Sequence, residues 1–163
     1  MVIVLMGPAG AGKTTVGTAL AARLSWTFVD ADAHHSPASL GKMAAGTPLT
    51  DVDRRGWLDS LHARIARALD RRERLVLACS ALTDAHRHRL ADGLRPVRFV
   101  YLKVDRDTLR ARLDARGPHV AGPALLDSQL ATLEEPDAAT ALVLDGTSDI
   151  DALVGHIRLA FGV

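Results

Sequence analysis

A chain of 163 residues, with 48% apolar and 24% charged side chains, has the composition of an ordinary globular domain and is too apolar for a disordered segment. Twenty basic against nineteen acidic residues leave a formal charge of +1, so no overall positive field directs it to nucleic acid. One cysteine excludes a disulfide scaffold, and the first apolar run, Val2–Met6, is too short for a signal peptide or a membrane span. The expectation is one domain over 1–163, cytoplasmic, with neither a membrane nor a nucleic-acid partner.

In chain order, short continuously apolar runs occur at Val2–Met6, Thr27–Val29 (the weakest), Leu75–Cys79, Val97–Leu102 and Ala141–Leu144. Runs of this kind, without polar alternation, predict strands buried on both faces of a parallel sheet. Helical spacing lies between them: Trp57, Leu61, Ile65 and Leu69, then Leu109 and Leu113, then Leu126, Leu130 and Leu133. Strands alternating with helices predict a three-layer α/β domain with a mainly parallel sheet, whose ligands gather at the carboxyl ends of the strands.

The first strand runs into Gly7-Pro-Ala-Gly-Ala-Gly-Lys-Thr14, which satisfies G-x-x-x-x-G-K-[ST] at every fixed position. Its glycines let successive N–H groups curl around phosphate oxygens, and the helix opening at Lys13 adds its unsatisfied N–H groups. Lys13 reaches the β- and γ-phosphates and the Thr14 hydroxyl meets Mg²⁺. Gly7, Gly10, Ala11, Gly12, Lys13, Thr14 and Thr15 are therefore candidate contacts to ATP. The guanine-reading N-K-x-D motif is missing. A P-loop chain of this length falls among the nucleotide and metabolite kinases.

The second strand ends in Asp30-Ala-Asp32, followed by His34 and His35. Two carboxylates two residues apart can serve different tasks: Asp30 ordering a Mg²⁺-bound water beside Thr14, and Asp32 taking the proton of an incoming hydroxyl. No Cys or Glu lies at zinc-like spacing from the histidines. Thr50 with Asp53 fits a capping box before the helix of Trp57, with Asp51 an equally good cap. Arg54 falls on that helix's inward face, where it suits an anion such as a substrate carboxylate. An ion pair with Asp51 or Asp53 is the alternative.

The third strand ends in Cys79-Ser80, the cysteine reading as a small buried hydrophobe and Ser80 as a neighbour of the γ-phosphate. A later helix carries Arg112 and Arg116 up to the break at Gly117-Pro118-His119, which suits a lid over about 116–124 that neutralises phosphate charge and excludes water. A solvated helix face is the alternative for both arginines. Gln129, beside the Leu126/Leu133 stripe, either reaches the substrate or is structural.

These blocks together resemble the gluconokinases, a family of P-loop metabolite kinases related to the shikimate kinases. The resemblance runs through Gly7–Thr14, Asp30-Ala-Asp32 with His35, Lys42-Met43 to Arg54, Trp57-Leu58, Cys79-Ser80-Ala81-Leu82, Arg116 with His119, and Leu125 to Pro136. It implies ATP- and Mg²⁺-dependent phosphorylation of D-gluconate at O6, a five-stranded parallel sheet with a helical lid, and it allows a homodimer. By position it matches Gly10, Gly12, Lys13 and Thr14 to the family's phosphate and Mg²⁺ loop, Asp32 to its hydroxyl-activating acid, Arg54 to a substrate-carboxylate contact and Arg116 to its lid arginine. Lys13, Asp32 and Arg116 are thus the candidate catalytic residues, with Asp32, His35, Arg54, Ser80 and Gln129 the candidates on the substrate side. The chain departs from the family's pattern at Ser36, Ser39, Thr83, His86 and Val120, which flank the acceptor side. Another sugar acid or a shikimate-like hydroxy acid therefore stays open as the acceptor. From a different class, a non-catalytic ATP-binding regulatory domain is the alternative.

Overall fold

The computed structural model describes residues 1–45, 47, 49–115 and 123–163. Five parallel strands, β1 (Val2–Met6), β2 (Thr27–Asp30), β3 (Leu75–Ala78), β4 (Val97–Lys103) and β5 (Leu142–Asp145), lie in the order β2-β3-β1-β4-β5. The helices are α1 (Lys13–Leu24), α2 (Pro37–Ala44), α3 (Asp51–Asp70), α4 (Asp84–Ala91), α5 (Arg106–Asp114), α6 (Pro123–Thr132) and α7 (Ile150–Phe161), with a 3-10 turn at Ala31–His34. Among the described residues no helix is long and apolar enough to cross a membrane.

Every expected strand is present within a residue or two of its apolar run, but burial on both faces holds only at the centre. β1 and β3 are buried throughout, while the edge strands β2 and β5 are half-exposed because each has a neighbour on one side only. Alternation along β1 divides the core. Ile3 and Leu5 pack with Val16 and Leu20 of α1 and Leu153 and Ile157 of α7; Val2, Val4 and Met6 pack with Trp57, Leu61 and Ile65 of α3. The stripe read from the sequence is thus the face α3 turns to the sheet, giving the three layers expected.

β1 pairs with β3 on one side and β4 on the other, although the chain reaches β2 before either. That reversal of strand order opens a crevice at the carboxyl end of β1, where the Gly-rich loop begins. α1 approaches the sheet closely. A Cβ on Gly17 would lie 2.7 Å from Phe28 Cε2 and 3.1 Å from Leu5 Cδ1. Replacing Gly17 with valine is expected to cost about 2 kcal/mol by overpacking, lowering Tm by roughly 4–8 °C for a chain of this size. Thermal unfolding at an unchanged Tm would contradict this packing.

Candidate functional site

The Gly-rich loop is shaped by its own backbone. Gly10 and Gly12 take φ of 85° and 97°, left-handed values that L side chains rarely adopt, and a Cβ on Gly10 would also sit 3.0 Å from Leu109 O. The Gly7 amide donates to Ser80 O (3.2 Å), tying the loop to the end of β3. Gly12 stands at the N-cap of α1 with no side-chain cap, which suits an anion at the helix start. The Ala11 amide donates to Pro8 O (3.2 Å) within the loop. Lys13 Nζ donates to Pro8 O at 2.9 Å.

Asp30 ends β2 and caps the 3-10 turn. Its Oδ2 accepts from the Thr14 hydroxyl (2.9 Å) and its Oδ1 from the Asp32 amide (3.0 Å). One carboxylate thereby joins the phosphate loop to the turn that presents Asp32, whose side chain is 79% exposed. No cluster of three or more His, Cys, Asp or Glu suited to a metal occurs among the described residues. The Thr14–Asp30 pair is nevertheless the donor set that Mg²⁺ takes when it keeps several waters and binds mainly through substrate phosphates.

A cleft of about 310 Å³ opens beside the loop, and Lys13, Asp32, His35, Arg54, Ser80 and Gln129 all line it. They come from α1, the 3-10 turn, α3, the end of β3 and α6, so five separate segments of chain converge on one space. Gln129 also has a structural bond: its Oε1 accepts from the Ala9 amide at 2.7 Å. The opposite wall is apolar, with Leu40 and Met43 of α2, Leu49 and Leu125. No periodic signal in the sequence marked α2, and these four residues went unread as site residues. Their position depends on how α2 and α6 fold over the cleft.

Arg54 sits one turn before Trp57, on the face expected. Of its alternative ion-pair partners, Asp53 takes a capping role: it accepts from Lys42 Nζ at 2.7 and 2.9 Å and from the Thr50 amide and hydroxyl at 2.9 and 2.8 Å. Lys42 first and Thr50 next hold the Asp53 carboxyl at about 2. The Thr50–Asp53 capping box is therefore formed, fixing the start of α3 and with it Arg54. Burial pushes the Cys79 thiol up to about 12, in keeping with a packing role.

Arg112 lies on α5 and bridges two loops, donating to Gly10 O (3.3 Å) and to Gly146 O after β5 (3.1 Å). α5 is described over Arg106–Asp114, with Ala115 at its end. Arg116, His119 and Val120 lie outside the described residues, as does most of the expected 116–124 lid, whose last two residues already belong to α6.

The other departures from the family's pattern do not touch the cleft. Ser36 Oγ accepts from the Ser39 amide (3.1 Å) and caps α2; Thr83 Oγ1 accepts from the His86 amide (3.2 Å), while His86 Nδ1 accepts from the Thr83 amide (3.4 Å), capping α4. None of these four residues lines the cleft. The Ser36, Thr83 and His86 side chains instead meet N–H groups at helix starts, while Ser39 Oγ accepts from the Ser36 hydroxyl at 3.0 Å.

A family profile described as an AAA domain matches residues 2–136. The chain is 40% identical to a probable gluconokinase of Xenopus tropicalis over 97% of its own length and 92% of the relative's. It is 44% identical to the gluconokinase of Gluconobacter oxydans, covering 82% and 75%. A gluconokinase from Sinorhizobium meliloti 1021 superposes with a TM-score of 0.85 at 36% identity, covering 98% and 93%.

Proposed function

Because the chain belongs to the gluconokinase family of P-loop kinases, we propose that it transfers the γ-phosphoryl group of ATP to the 6-hydroxyl of D-gluconate, giving 6-phosphogluconate and ADP. The observation that carries this reading is the convergence of Lys13, Asp32, Arg54, Ser80 and Gln129 on one cleft beside the phosphate loop. Each end of that cleft answers a different part of the reaction.

The loop and the start of α1 hold the phosphates through backbone N–H groups, with Lys13 neutralising the oxygens between which charge shifts. Thr14 and Asp30 are the residues that would hold Mg²⁺, Asp30 through water, and the ion would supply further neutralisation of phosphate charge. Asp32 accepts the proton of the acceptor hydroxyl as its oxygen bonds to the γ-phosphorus and the bond from that phosphorus to the β–γ bridging oxygen breaks. Arg54 pairs with the carboxylate at the far end of the acceptor and so sets which hydroxyl faces ATP. Leu40, Met43, Leu49 and Leu125 shield the reacting groups from water, which would otherwise compete as the nucleophile.

Replacing Arg54 with leucine tests the acceptor's orientation. The KM for gluconate is expected to rise about tenfold to hundredfold, the worth of a hydrogen bond to a charged group, while the KM for ATP stays unchanged. A rise confined to the KM for ATP would place Arg54 on the nucleotide side and refute this orientation.

A further inference from the structure

Resting on the reading of Asp32 as the base, we propose that His35 is its positioning residue: the imidazole donates Nε2–H to Asp32 Oδ1 and leaves Oδ2 to take the acceptor's proton. The 3-10 turn sets up the pair, since the His35 amide donates to Asp32 O (3.3 Å) and folds the later residue back over the earlier one. The ring then lies flat on Trp57, with centroids 4.4 Å apart and planes 11° from parallel. Trp57 is itself fixed, because its Nε1–H donates to Ala31 O at 2.8 Å, in the first residue of the same turn. Turn, imidazole and indole form a closed unit that presents the Asp32 carboxylate on its exposed side.

The proton's place on the ring follows from burial. The His35 side chain is only 5% exposed, and its Nδ1 is buried with no hydrogen-bond partner among the described residues. A hydrogen on Nδ1 would be an orphaned buried donor, costlier than an unmatched lone pair, so the neutral ring carries its proton on Nε2. Burial lowers the imidazole's pKa; the Asp32 charge opposes this and the Arg54 charge adds to it. Nε2 stands 3.9 Å from Asp32 Oδ1, outside hydrogen-bond range. Asp32 is on the exposed side of the turn, and a swing of about 1 Å brings the pair to bonding distance.

The bond matters because the two oxygens of a carboxylate are otherwise equivalent. Phosphoryl transfer has a loose transition state in which aiming the nucleophile counts as much as removing its proton. Fixing one oxygen aims the other. Stacking alone does not call for histidine, since phenylalanine would cover the Trp57 face as well.

The test compares His35→Phe, which keeps the stack and removes the donor, with His35→Gln, which restores an N–H near Nε2. His35→Phe is expected to lower kcat about tenfold to hundredfold, with KM for both substrates within about twofold, and His35→Gln is expected to recover part of the loss. In an Asp32→Asn background His35→Phe is expected to cost nothing further. A raised KM for the acid at unchanged kcat would make His35 a substrate ligand and overturn the proposal. So would full activity in His35→Phe, or no advantage of glutamine over phenylalanine. If His35→Phe does not fold, the His35→Gln comparison and the double variant with glutamine decide. The kinetics are read with whichever acid the wild-type protein phosphorylates: a wrong acceptor shows in the wild type, a wrong pairing only in the variants.

Discussion

Asp32→Asn is expected to lower kcat for gluconate phosphorylation by about 10²–10⁴-fold, the range for a lost general base, while ATP binds nearly as before. The substitution is close to isosteric, and the turn survives it. What holds that turn is the Asp32 amide donating to Asp30 Oδ1, which does not involve the Asp32 side chain. The carboxylate is 79% exposed into the cleft, so its loss leaves no buried charge without a partner. Steady-state kinetics with a separate ATP titration check both halves. Wild-type turnover in the variant would remove Asp32 from the reaction. Parallel loss of ATP binding would mean instead that the acid loop supports the nucleotide.

The second large effect concerns Lys13. Its ammonium rests on Pro8 O at 2.9 Å, inside the loop that wraps the phosphates, within a short swing of any anion held there. Lys13→Met keeps the length and removes the charge. The loop's other ties, Gly7 N–H to Ser80 O and Ala11 N–H to Pro8 O, are backbone bonds and persist. The expected loss in kcat is about 10²–10³-fold, comparable to removing one preorganised donor from a developing anion. A circular-dichroism spectrum like that of the wild type would show that the fold is not the cause. Undiminished kcat would contradict the placement of Lys13 against the transferred group.

The parts of this site legible in the sequence are those whose signal is local. The Gly-rich loop carries its geometry in consecutive residues, Asp30 and Asp32 follow a strand, and Arg54 can be assigned a face because α3 repeats Trp57, Leu61 and Ile65. The strands show as apolar runs because the central ones are covered on both sides. What escaped depends on chain segments meeting. The His35–Trp57 stack joins residues 22 apart, the Arg112 bridge joins α5 to Gly10 and Gly146, and the wall of Leu40, Met43 and Leu49 needs α2 folded across the cleft. Thr83 and His86, two of the departures from the family's pattern, have hydrogen bonds that belong to the start of α4. Capping is local chemistry, but the capping-box signal at Thr83 is weak because histidine, not glutamate, stands at the reciprocal position.

The product itself identifies the reaction. The purified protein is incubated with ATP, Mg²⁺ and D-gluconate, and in parallel with other aldonates, with shikimate and with no acceptor; products are identified by mass spectrometry and ³¹P NMR. The predicted result is 6-phosphogluconate and ADP in equal amounts, with gluconate clearly preferred and little ADP without an acceptor. ADP release that ignores the acceptor, or preferred phosphorylation of a different acid, would contradict it.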